Sequence, residues 1–319
     1  MTFAETGTTV LPVFGLIAIG FAASKLGVVR DVVGEGLGEF VYVIGIPVLM
    51  FRTLATATFP PLSPWPLWIS YFGGVLVAWS LSAVVAHRLY GRSRTEGVIA
   101  GVSGSFSNLV IVGTPLIVSA FGEAGAVPLF MLVSVHLPIM MVAGTLLTER
   151  AIRIDGGQQG PVDVPKVLKA IGRNLATNPL IIALVLAAAW RTGGLPLEGL
   201  PRTIVDQLGA SALPAALFSL GVGLRRYGLF GELRLALPVI AIKLLLMPAV
   251  VYLVASRVFD LPPLWVSVLT VSAACPAGVN AYLFAVRFNV AHGTASNIIG
   301  LSTALAVFSV TFWLDLARP

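Results

Sequence analysis

The residues of this chain that could do chemistry are few, and most fall in two short runs. The first holds Ser103, Ser105, Ser107 and Asn108, followed by Gly113, Thr114 and Pro115; the second holds Pro276, Gly278, Asn280 and Tyr282. Hydroxyls and carboxamides beside Gly and Pro do not make an acid–base or nucleophilic centre. They are neutral hydrogen-bonding groups at places where a helix must break, and a broken helix exposes unpaired N–H groups and carbonyls. Each helix N-terminus carries roughly half a positive charge, so two of them aimed at one point form a receptor for a small anion. Asn108 and Asn280 would add donors without the cost of burying a formal charge. The expected substrate-binding set is therefore Ser105, Ser107, Asn108, Gly113, Thr114, Gly278, Asn280 and Tyr282, with Pro115 and Pro276 breaking the helices. Thr114 is expected as the N-cap and Pro115 as the first residue of one half-helix, with Asn280 capping the other. The competing reading is that Gly and Pro only kink packed helices while Ser and Asn glue them together. The recurrence of the pattern in two places favours a site.

Two cations, Arg52 and Lys243, fall within apolar segments. Lys243 could attract an anion or neutralise the negative C-terminal ends of the first half-helices. Arg52 could snorkel to the outer interface or face a carboxylate as part of the binding set. Glu39 and Asp206 could hold a proton or ion, or simply sit at solvated helix starts. His136 could carry a proton or be a hydrogen-bonded core residue. The signatures of intramembrane enzymes are missing, with no His-Glu-x-x-His and only three histidines, His87, His136 and His292, far apart. No enzyme, cofactor or metal is expected, and the single cysteine, Cys275, excludes an intrachain disulfide.

These residues need membrane helices to position them. Hydrophobic residues make up 57% of the 319 and charged residues 11%, with a mean hydropathy of +0.95. A helix crossing the hydrocarbon core needs about 20 apolar residues. Ten such segments are read, at 8–25, 32–56, 65–89, 96–120, 126–148, 167–190, 203–224, 232–256, 263–287 and 292–315. Residues 1–9 carry no Lys or Arg, so the first segment is expected to be a membrane helix and not a signal peptide. With both termini outside the cytoplasmic membrane, 14 Lys and Arg fall in cytoplasmic loops and 4 outside. The net charge of +6 thus orients the protein and does not imply nucleic acid as a partner.

Five residue pairs recur 167 positions apart: Pro12 and Pro179, Glu39 and Asp206, Pro47 and Pro214, Phe51 and Phe218, Phe121 and Phe288. Residues 1–148 and 167–319 are read as two repeats of five helices, joined by a Gly-rich cytoplasmic linker at 149–166. Because five is odd, the second repeat is inverted, as in many secondary transporters. The expected fold is an all-α polytopic membrane protein of ten helices in a 5+5 inverted repeat, its fourth and ninth helices broken and crossing.

The runs around Asn108–Pro115 and Pro276–Asn289, with Pro47–Phe51 and Lys243–Pro248, resemble the auxin efflux carrier family of organic-anion transporters, and the likeness follows the whole chain in order. It implies helices 1, 2, 6 and 7 as a scaffold, and helices 3–5 and 8–10 as a mobile transport domain. It also implies elevator-type alternating access and a homodimer formed through the scaffold. Asn108 takes the place of the family's crossing-point asparagine, with Pro115 and Pro276 as the crossover prolines. Asn280 and the short central linker bring the chain closest to the bacterial branch, often described as malate or malonate permeases. The implied substrate is a small carboxylate, with H+ or Na+ as a possible coupling ion. The nearest rival is a sodium-coupled bile-acid-type symporter with the same crossed helices; a passive channel would differ in lacking saturable exchange.

Overall fold

The computed structural model describes residues 3–57, 63–157, 164–226 and 232–318. The middle of the expected linker, residues 158–163, lies outside the described residues. The helices are α1 (Phe3–Lys25), α2 (Asp31–Phe40), α3 (Ile46–Thr56), α4 (Trp65–Val84), α5 (Arg94–Ser103), α6 (Thr114–Asp155), α7 (Val164–Ala176), α8 (Pro179–Thr192), α9 (Gly199–Leu224), α10 (Leu233–Ala241), α11 (Met247–Leu253), α12 (Pro263–Ala274), α13 (Asn280–Phe288) and α14 (His292–Leu316). No strand occurs among the described residues; a single antiparallel bridge is the only extended pairing there.

Wide π turns join α2 to α3 at Val41–Gly45 and α10 to α11 at Ile242–Leu246, and extend single helices at Val85–Leu89, Leu109–Gly113 and Val254–Val258; five occur among the described residues. Three of the five stand directly before a helix whose second residue is proline: Pro47, Pro115 and Pro248. Proline offers no N–H and its ring crowds the carbonyl four residues back. A local π adjustment absorbs both defects without ending the helix. At Pro248 the carbonyl concerned is that of Leu244, which instead accepts from Ser309 Oγ at 2.6 Å and Trp313 Nε1 at 3.0 Å.

Seven helical stretches among the described residues are long and apolar enough to cross a membrane: Gly7–Lys25, Asp31–Thr56, Trp65–Leu89, Leu109–Asp155, Gly199–Leu224, Leu233–Val258 and His292–Leu316. One expectation changes. The segment read at 167–190 is two helices, because Asn178 ends the run and its Oδ1 caps α8 at Leu180 N, 2.9 Å away, with Pro179 as first helical residue. Within Thr114–Asp155, Gly122, whose φ of 62° and ψ of −153° no helix can hold, separates two helices at the place where segments four and five are expected to part.

The chain groups into two compact units. The first comprises residues 1–64, 109–134 and 173–226. Its centre is the packing of α1, α2 and α3 against α9, and small residues let the backbones close up: a β-carbon at Gly20 would overlap the Phe218 carbonyl, and one at Gly221 the Ile17 carbonyl. The second unit comprises residues 65–108, 135–172 and 227–319, with α4, α5, α10, α11, α12 and α14 packed together.

Candidate functional site

The second unit contains both helix interruptions, and they interlock. α5 starts with a capping box, Ser93 with Glu96, and its first two N–H groups are held by Asp155. It ends at Ser103, where Gly104 presses so closely on Ser82 that a β-carbon would not fit. The chain then runs extended through Phe106, Ser107 and Asn108. α12 ends at Ala274, and the chain runs extended through Pro276 and Ala277 before α13 starts. Asn108 N donates to Pro276 O at 2.9 Å, and Gly278 N donates to Phe106 O at 2.7 Å, making an antiparallel bridge of Ser107 with Ala277. The two bonds are equivalent under a local two-fold through that pair. A β-carbon at Gly278 would stand 3.3 Å from the Phe106 ring and 3.4 Å from the Phe106 and Ser107 carbonyls, in close contact with the bridge. The Ala277 N–H is taken by Ser302 Oγ at 3.0 Å.

Ser107 is the centre of a buried polar network. Its Oγ accepts from Tyr71 Oη at 2.9 Å and from Lys243 Nζ at 2.9 Å. Lys243, fully buried in the π turn before Pro248, also donates to Ala273 O at 2.6 Å. That carbonyl lies in the last turn of α12, where carbonyls lack helical partners and negative partial charge collects. One of the three N–H groups of Lys243 has no partner among the described residues. A hydroxyl has two lone pairs and one hydrogen, so Ser107, with both lone pairs engaged, can only donate to a further group. Ser103 and Ser105 differ: each gives its hydrogen to a carbonyl four residues back, Ile99 and Gly101, at 2.9 and 2.7 Å.

The breaks do not fall quite where the residue types suggest. The first lies at 104–108, not at Gly113-Thr114-Pro115, because the π turn Leu109–Gly113 accommodates Pro115 inside a continuing helix. Thr114 is therefore no N-cap; its Oγ1 donates back to Leu109 O at 3.1 Å. Gly113, Thr114 and Pro115 belong to the first unit. Asn280 is not a cap either, but the first residue of α13, half-buried, with Val279 before it. The two-fold pairs Asn108 with Gly278, so the two asparagines do not occupy equivalent positions. Tyr282, also half-buried, stands edge-on to His292.

His136 lies beside the network, buried and ringed by Tyr71, Phe72 and Phe106, its Nε2 without a hydrogen-bond partner. The acids and Arg52 are elsewhere. Arg52, in the first unit, pairs with Glu123 and with Asp206, the latter at 3.1 Å, while Asp206 also holds Arg202. Glu39 is exposed and has no ion-pair partner among the described residues. Tyr71 and Ser302 are absent from the sequence reading; one aromatic and one hydroxyl among many in apolar helices give no local signal.

The membrane transport protein family matches residues 6–314 of the chain. A protein of Rhizobium meliloti (strain 1021), described as a "putative malonate transporter", is 28% identical over 330 residues, covering 99% of this chain and 97% of its own length. An "uncharacterized transporter" of Methanothermobacter thermautotrophicus (strain Delta H) is 26% identical over 323 residues, covering 98% and 99%. The match runs through nearly every element described above: the chain belongs to the membrane transport protein family, that of the auxin efflux carriers, and is a multi-pass membrane transporter.

Proposed function

We propose that this transporter carries a small organic anion, a carboxylate, held at the interlocked breaks. The observation that carries the reading is Ser107, whose hydroxyl hydrogen is left to donate, next to an N–H of Lys243 that has no partner among the described residues. Donors that are fixed in place and lack an acceptor suit an anion and disfavour a cation. Asn108, Gly278 and Asn280 border the same bridge. Malonate, a three-carbon dicarboxylate, is one such anion, and it appears in the name of a relative.

The two-fold of the bridge supports a 5+5 inverted repeat of ten helices, the fourth and ninth broken and crossing, with α8 and α12–α13 completing the spans. On this reading the unit carrying the bridge is the moving part of an elevator, and the other unit is the scaffold and dimer contact. Both termini are outside the inner membrane. H+ or Na+ supplies coupling, with Glu39, Asp206 and His136 as the candidate carriers.

The test is current on a solid-supported membrane carrying proteoliposomes, with mono- and dicarboxylates at two pH values, with and without sodium. A saturable current for one carboxylate, lost in Ser107→Ala and Asn108→Ala, is expected. Unchanged currents in both variants would place the binding site elsewhere.

A further inference from the structure

α7 is the one helix whose two sides differ most in chemistry. Taking 100° per residue, Val164, Leu168 and Leu175 fall within about 40° of one another. Lys169 and Arg173 fall on the opposite side. The sequence from Val164 to Asn178 contains no Asp or Glu. Val164 is 41% exposed and Leu168 46% exposed, while Leu175 is half-buried, so the apolar stripe is open over the first turns of α7. Thirteen residues make a rod about 20 Å long. Its C-terminal end is fixed: Asn178 caps α8, and its Nδ2 donates to Tyr42 Oη at 2.9 Å, within the span Asp31–Thr56.

We infer that α7 lies in the plane of the membrane surface, its apolar stripe sunk among the acyl chains and its basic stripe bound to anionic phospholipid headgroups. The bilayer is the occupant that the structure supports. α7 is tethered to membrane-spanning helices at one end, its exposed stripe is aliphatic, and its charge is positive only, the complement of an anionic leaflet. The assignment rests on membrane residence, not on the identity of the cargo. Docking on the rest of the chain or on another protein would leave the one-signed basic stripe unexplained.

The test uses the full-length protein with single cysteines at Val164, Leu168, Lys169 and Arg173, each labelled with an environment-sensitive fluorophore. Cys275 is buried, so the parent protein serves as the labelling control. Vesicles of phosphatidylcholine are compared with vesicles containing added phosphatidylglycerol. Labels at 164 and 168 should shift to the blue and be quenched by lipid spin-labelled near the headgroup, while labels at 169 and 173 should respond to aqueous iodide. A basic residue near an anionic surface strengthens attachment about five-fold. Lys169→Gln with Arg173→Gln, read through the label at 168, should therefore raise several-fold the phosphatidylglycerol content needed for half-maximal quenching. Four labels equally open to iodide would overturn the inference, as would a label at 168 shielded from both quenchers. So would quenching at 168 by deeply placed spin labels, which would make α7 part of a span.

Discussion

A serine that accepts two hydrogen bonds has its own hydrogen aimed for it. At Ser107 the aiming groups are Tyr71 and Lys243. Replacing Ser107 with Ala strands two buried donors, at about 1–3 kcal/mol each; we expect a clear fall in thermal stability together with loss of uptake. Tyr71→Phe strands nothing and frees one lone pair, so it should cost about 1 kcal/mol or less and raise KM while the protein stays folded. Equal effects of the two variants in melting and uptake assays would show that orientation of the hydroxyl is irrelevant. Lys243→Met leaves the Ala273 carbonyl buried without its donor, again about 1–3 kcal/mol. Normal uptake per folded molecule in that variant would assign Lys243 to holding the end of α12 alone. Ser107, Asn108 and Lys243 were legible because polar groups stand out in apolar runs. Their mutual geometry was not, since Tyr71 reaches Ser107 across 36 positions and Lys243 across 136.

Prolines mark where the helices deviate, but not how. Pro276 does sit in a true break, whereas Pro115 follows a π turn and interrupts nothing. The residue type states that an N–H is missing; whether the helix ends or widens depends on what takes the freed carbonyl. At Leu244 that role falls to Ser309 and Trp313, and a cycle can measure it. Ser309→Ala with Trp313→Phe should destabilise by about 1–3 kcal/mol. Adding Pro248→Ala, which returns an N–H to this turn, should recover part of that. Additive losses in chemical denaturation would mean that the Leu244 carbonyl never needed a partner. The division of 167–190 was written in Asn178-Pro179, a cap followed by a favoured first residue. Average hydropathy hides it because Val167, Leu168 and Ile171 count as apolar whichever way they face.

At the scale of the molecule, the sequence separates its basic residues 14 to 4 across the expected topology, which makes a direct prediction. A cysteine at exposed Gly156 should react with an impermeant maleimide only after the membrane is opened, and one at exposed Leu195 in intact cells. The opposite pattern would invert the topology. The 167-residue repeat was legible from scattered Pro and Phe, yet the bridge pairs Ser107 with Ala277, 170 positions apart. The offset at the bridge differs by three from that of the Pro and Phe pairs, and Asn108 and Asn280, 172 positions apart, match under neither. The bridge itself is made of backbone atoms alone. Because amides and carbonyls are common to nearly every residue type, the bridge's own hydrogen bonds do not depend on which side chains flank it. On the proposed reading, cargo preference could therefore be rewritten at Asn108 and Asn280 while the frame is kept, which makes these two positions the place to begin redesigning what the protein carries.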